Sequence, residues 1–142
     1  MRYNKLSLFI HFVWTTWDRL PLISAEIEPV VFRALQSEAR EIDCKVLALG
    51  GTEDHVHLLL EIPPTRCILE IVKQLKGVSS RLVNDALDVD IPFKWQASYS
   101  AFSVSRWDVK KIAQYIKRQK EHHQAGTTIA KLEETFAPNI SE

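Results

Sequence analysis

The chain has 142 residues, about one domain, and 46% of them are hydrophobic, so a core can form without disulfides or a structural metal. Eighteen Lys and Arg balance eighteen Asp and Glu, so net charge gives no argument for a nucleic-acid partner, and any such argument must come from local clustering. Two cysteines, Cys44 and Cys67, are too few for a disulfide framework or a four-ligand zinc knuckle, and both are expected as small buried hydrophobes.

The stretch "MRYNKLSLFIHFVWTTWDRLPLI" contains an apolar run, but His11 interrupts it and no small-residue cleavage site follows, so a cytoplasmic protein is expected. Residues 6–15 read as a first strand, with Leu6, Leu8, Ile10, Phe12 and Trp14 on one face and His11 on the other. A helix is expected from Pro29 to Glu41, where apolar residues recur at helical spacing behind a proline in the first turn. "CKVLALGG" predicts a second strand, and "TEDHVHLLLEI", residues 52–62, a third. After Pro63 and Pro64, Cys67 to Leu87 carries an amphipathic helical pattern. "FKWQASYSAFSVS", residues 93–105, alternates as a fourth strand, and Trp107 to His123 as one long amphipathic helix; "TTIAKLEETF" is expected as a short terminal helix. The order strand, helix, strand, strand, helix, strand describes an α+β, ferredoxin-like antiparallel sheet with two helices on one face. The last helix is surplus to that unit and is expected to dock on the open face.

Alternation on the third strand sends Val56, Leu58, Leu60 and Ile62 under the helices and His55, His57, Leu59 and Glu61 to the open face. Two histidines spaced by two residues lie about 6 to 7 Å apart along a strand, close enough to share one divalent ion. Glu53 and Asp54 just before them read as turn residues. In "VKKIAQYIKRQKEHH" the apolar stripe Val109, Ile112, Ala113 and Ile116 is flanked by Lys111, Tyr115, Gln119 and His122, so Tyr115 and Gln119 project together from a docked helix. Gln119 offers a carbonyl oxygen suited to Mg²⁺ or Mn²⁺. Lys110, Lys111, Lys117, Arg118 and Lys120 make this helix locally basic, a match for phosphate. Trp14, Trp17, Trp95, Tyr99 and Trp107 are aromatic residues able to stack bases, most of them better placed in or beside the core.

His55-Val56-His57 on a strand, followed some sixty residues later by Tyr115 and Gln119 on a helix, resembles the single-tyrosine HUH transposases of the insertion-sequence 200/605 type and their REP-associated relatives. "HFVWTTWDRLPLI", "LKGVSSRLV", "YSAFSVS" and "YIKRQKEHH" are similar to successive segments of that family, so the likeness spans nearly the whole chain as one domain, 1–142; "GGTED" departs from the Met-Pro-Asp often found before the histidines. The resemblance implies that His55, His57 and Gln119 hold a divalent ion, Mg²⁺ or Mn²⁺, and that Tyr115 is the nucleophile. It implies cutting and rejoining of single-stranded DNA through a 5′-phosphotyrosine intermediate. The expected partner is a DNA hairpin from the ends of the parent element, contacted by Lys110, Lys111, Lys117, Arg118, Lys76 and Arg81. No membrane association is expected. A homodimer is expected, with the tyrosine serving the histidine pair of its own or of the other subunit. His11, His122 and His123 receive no role. Two other readings use the same residues: a non-catalytic hairpin-binding protein, and a metal-dependent hydrolase in which Tyr115 only orients substrate.

Overall fold

The computed structural model describes residues 4–135. Four strands form one antiparallel sheet: β1 (Phe9–Thr15), β2 (Lys45–Gly51), β3 (His55–Glu61) and β4 (Ser100–Val104), in the order β2-β3-β1-β4. Helices α1 (Glu28–Glu41) and α2 (Ile68–Ala86) cover one face. The ferredoxin-like arrangement expected from the element order is the fold observed.

Side-chain alternation divides the sheet into two apolar layers. Phe12, Trp14, Val56, Leu58 and Leu60 meet Val31 and Leu35 of α1 and Ile71, Val72, Leu75 and Val83 of α2. On the opposite face Leu59 and Ala48 join Val104, Ala113 and Ile116 in a second, smaller cluster. Its helical members lie on α3 (Val109–Lys117), so the surplus helix docks on the otherwise open face.

Gly50 decides how close that helix comes. It pairs with His57 across the sheet, and a Cβ at this position would lie 1.9 Å from the carbonyl oxygen of Ile116. The helix backbone therefore rests directly on the sheet beside the second histidine, a contact only glycine permits.

Several boundaries differ from those expected. Strand β1 starts at Phe9, leaving Leu6 and Leu8 exposed. Strand β4 is Ser100–Val104, and Phe93–Tyr99 runs outside the ladder apart from one bridge between Trp95 and Thr16. Side chains hold this segment instead: Asn84 exchanges two hydrogen bonds with the Phe93 backbone, Lys76 Nζ donates to the carbonyls of Gln96 and Ser98, and Trp95 Nε1 donates to Ser79 Oγ. The long helix expected from Trp107 to His123 breaks at Arg118, whose φ of −110° and ψ of 29° separate α3 from α4 (Gln119–Ala125). In place of a terminal helix there is one 3₁₀ turn, Ala130–Leu132, while the expected end at residue 136 lies outside the described residues. Cys44 is buried as expected, but Cys67 is exposed ahead of α2. Among the described residues no helix is long and apolar enough to cross a membrane.

Candidate active site

His55 and His57 point from β3 to the face that α3 covers, and both are buried, at 2% and 0% exposure. Each has one ring nitrogen anchored and the other free to face the centre of the site. His55 Nδ1 lies 2.8 Å from Asp54 Oδ1 and 2.9 Å from Thr52 Oγ1, in the turn between β2 and β3. Asp54 is in turn 3.5 Å from Arg19 Nη2. Asp54 is thus more than the turn residue expected; it fixes the ring so that Nε2 looks inward.

His57 Nδ1 is 2.9 Å from Nε2 of His11, and the two rings stack with centroids 5.1 Å apart. His11 reaches it from β1, where it pairs with Leu59 and shares the histidine face. For His57 Nε2 to be a lone-pair donor, its Nδ1–H must donate to His11, so His11 sets the tautomer. Burial, reinforced by the proximity of His57, pushes the His11 pKa down to about 3, which keeps it a neutral acceptor.

The docked helices supply the rest. Tyr115, near the end of α3, is buried, with its ring centroid 6.4 Å from that of His57. Gln119, the first residue of α4, is 1% exposed, and its Oε1 is 3.1 Å from His55 Nε2. The break at Arg118 does not separate the pair expected on one helix; both side chains enter the site. His122 stacks on the Tyr115 ring at 4.4 Å, and His123 Nε2 lies 3.1 Å from Gln119 Oε1.

One residue without a sequence signal stands at the centre. Glu133 follows the 3₁₀ turn; its Oε1 is 3.1 Å from His57 Nε2 and 3.4 Å from His55 Nε2, and its Oε2 accepts hydrogen bonds from the Tyr115 hydroxyl and, at 3.0 Å, from Gln119 Nε2. His55, His57 and Glu133 offer ligand atoms lying within 4.8 Å of one another. No sequence periodicity distinguished Glu133 from the adjacent Glu134; only the path of the chain does.

These contacts set the site's electrostatics. Burial opposes charge on His55, but the hydrogen bonds to Asp54, Glu133 and Gln119 prevail and raise its pKa to about 9. Burial dominates at His57 and lowers its pKa. Against its own burial, Glu133 is held well below the usual carboxylate range by hydrogen bonds from His55 and His57. The Tyr115 hydroxyl is pushed up to about 12 by burial and by the neighbouring carboxylate.

The candidate DNA contacts divide between the two faces. Lys110, Lys111, Lys117 and Arg118 are exposed on and just after α3, beside the site. Lys76 and Arg81 belong to α2, across the sheet from it, and Lys76 is turned onto two backbone carbonyls. Trp14 and Trp95 are core residues; Trp17 and Trp107 are exposed, at 45% and 78%.

Residues 4–119 match the IS200-like transposase family. The transposase for insertion sequence element IS200 of Salmonella typhimurium is 31% identical over 136 residues, spanning 92% of this chain and 88% of its own. The ISDra2 transposase TnpA of Deinococcus radiodurans is 29% identical over 121 residues, or 81% and 86% of the two chains. Among solved structures, a protein of Deinococcus radiodurans described as a candidate transposase superposes with a TM-score of 0.69 at 31% identity, over 84% of this chain and 95% of that one. A REP-associated tyrosine transposase bound to a REP hairpin shares the fold, with a TM-score of 0.63 at 13% identity over 90% and 76%. Fold and sequence together define a transposase. The chain belongs to the IS200-like transposase family, whose members are enzymes acting on DNA.

Proposed function

We propose that this transposase is a single-tyrosine HUH enzyme, one domain that cuts and rejoins single-stranded DNA by transesterification. One observation carries the reading: α3 and α4 bring Tyr115 and Gln119 over the His55–His57 pair of the same chain, with Gln119 Oε1 3.1 Å from His55 Nε2.

The donor set suits a divalent ion. Two imidazole nitrogens with their far nitrogens anchored, an amide oxygen and a carboxylate converge on one point, a borderline-to-hard set compatible with Mg²⁺ or Mn²⁺. When bound, such an ion polarises a phosphoryl oxygen and offsets negative charge in the transition state. His55, His57 and Gln119 would hold it.

The chain's own contribution is a positioned nucleophile. Tyr115 Oη forms a bond to phosphorus as the bond from phosphorus to the 3′ oxygen breaks, leaving a 5′-phosphotyrosine and a 3′-hydroxyl. The phenol's proton leaves as the attack proceeds, and the departing 3′ oxygen takes up a proton. With its pKa near 12 the hydroxyl is protonated throughout the neutral range, so proton loss has to accompany attack. A 3′-hydroxyl reverses the step by attacking the phosphotyrosine, and the retained ester energy makes rejoining independent of ATP. Stacking on His122 restrains the tyrosine ring, and a positioned nucleophile is what such transfers depend on. Exposed Lys110, Lys111, Lys117 and Arg118 would meet the DNA phosphates.

The test is incubation with labelled single-stranded hairpin DNA from the element's ends plus Mg²⁺ or Mn²⁺, resolved on a denaturing protein gel beside Tyr115→Phe. The reading expects a metal-dependent protein–DNA band that the mutant lacks. Binding without that band points to a retired hairpin-binding module, and cleavage that survives the mutation points to a hydrolase.

A further inference from the structure

The segment after α4 is steered into the site by several contacts. Gly126 takes a left-handed φ of 69°, ending α4, and the Thr127 N–H donates to the His122 carbonyl. The Ile129 N–H then donates to the Tyr115 hydroxyl oxygen at 2.9 Å, and the 3₁₀ turn that follows delivers Glu133. A surface carboxylate would point to solvent; this one is 17% exposed and meets His55, His57, Gln119 and Tyr115.

The spacings suit coordination. With metal–ligand bonds of about 2.1 Å, neighbouring ligand atoms stand about 3.0 Å apart in octahedral and about 3.4 Å apart in tetrahedral geometry. His55 Nε2 to Gln119 Oε1 is 3.1 Å, His57 Nε2 to Glu133 Oε1 is 3.1 Å, and His55 Nε2 to Glu133 Oε1 is 3.4 Å. Charge argues the same way. Two imidazoles, neutral once they coordinate, and an amide leave a buried dication uncompensated, and Glu133 is the anion that touches both histidines.

We propose that Glu133 is a fourth ligand of the divalent centre and ties that centre to the nucleophile, Oε1 facing the ion while Oε2 holds the Tyr115 hydroxyl. The segment 126–135 is then part of the active site. Glu133 lowers the net charge of the ion with its ligands by one unit, tightens ion binding before DNA arrives, and keeps Tyr115 Oη on the ion's side of the pocket. The inference rests on the metal reading given under the proposed function.

Mn²⁺ binding in the absence of DNA tests it. The full chain, stripped with chelator, is titrated with Mn²⁺ alone, and the free aquo ion is followed by electron paramagnetic resonance. The wild type should bind one ion, Glu133→Gln at least about tenfold more weakly, Glu133→Asp between the two, and His57→Ala not measurably. Circular dichroism of Glu133→Gln confirms that the isosteric change keeps the fold. Wild-type affinity in Glu133→Gln would overturn the role of Glu133 while leaving the metal reading standing. Tighter binding together with more covalent DNA adduct would also overturn it, showing a carboxylate that plugs the phosphate's place. No binding by the wild type would remove the metal reading itself.

Discussion

Replacing Gly50 with alanine tests whether the close approach of α3 to the sheet is what places the nucleophile. The added Cβ would lie 1.9 Å from the Ile116 carbonyl oxygen and 2.9 Å from its carbon, both backbone atoms that no rotamer change can move aside. Restoring ordinary contact requires a retreat of roughly 1 to 1.5 Å by the helix or the strand. Overpacking of this kind costs about 1 to 3 kcal/mol, and here it opens the small cluster of Ala48, Leu59, Ala113 and Ile116. The larger effect falls on chemistry. Tyr115 is next to Ile116, and a displacement of about 1 Å in a positioned nucleophile costs on the order of 10²-fold in rate. The assay is single-turnover formation of the covalent protein–DNA product, with thermal unfolding and DNA-binding affinity measured on the same preparation. Folded protein that binds DNA normally but forms adduct about 100-fold more slowly is expected. Wild-type adduct rates together with an unchanged Tm would refute the argument that Gly50 sets the helix position.

The other predictions concern the groups around the site and the tether across the sheet. His11→Phe leaves the buried His57 Nδ1–H without its acceptor, costing about 1 to 3 kcal/mol of stability and weakening Mn²⁺ binding by about 10 to 100-fold; unchanged ion affinity would contradict the tautomer role. Asp54→Asn replaces the charged partner of His55 and should weaken Mn²⁺ binding by at least about tenfold while leaving His57→Ala the more severe lesion. Lys76 is brought down to about 8 by burial. Its charged form is disfavoured in the fold relative to the unfolded chain, so its contribution to stability rises between pH 8 and the ordinary lysine range near 10.4. Urea unfolding of wild type and Lys76→Met at about pH 7 and about pH 9.5 should show the difference moving in favour of the wild type at the higher pH, and a pH-independent difference would contradict this.

What the sequence revealed and what it concealed follow from the range of the interactions involved. Alternation in His55–Ile62 is a local property of a strand, so the assignment of Val56, Leu58 and Leu60 to one layer and the histidines to the other could be read directly and holds in the fold. The same applies to the docking stripe of Ala113 and Ile116. The break at Arg118 could not be read this way, because Lys117-Arg118-Gln119 contains no proline or glycine; no local signal marks it. Residues 93–99 alternate like a strand yet are claimed by Lys76, Asn84 and Ser79 from α2, contacts made across nine to twenty-two positions. Glu133 is the extreme case: 76 residues separate it from His57, and nothing in "KLEETF" distinguishes it until the chain turns at Gly126. His11 was legible as a residue on the histidine face, but its pairing with His57 depends on the register between β1 and β3.

The account turns on Tyr115 as the atom that carries the DNA. The most direct measurement is mass spectrometry of the covalent product after trypsin and nuclease digestion. Cleavage after Lys111 and Lys117 releases Ile112–Lys117, a peptide whose only hydroxyl side chain is Tyr115. The account predicts this peptide bearing a 5′-linked nucleotide on the phenolic oxygen, formed only with divalent metal present and absent from Tyr115→Phe. An adduct on any other residue, or DNA cleaved with this peptide unmodified, would contradict it.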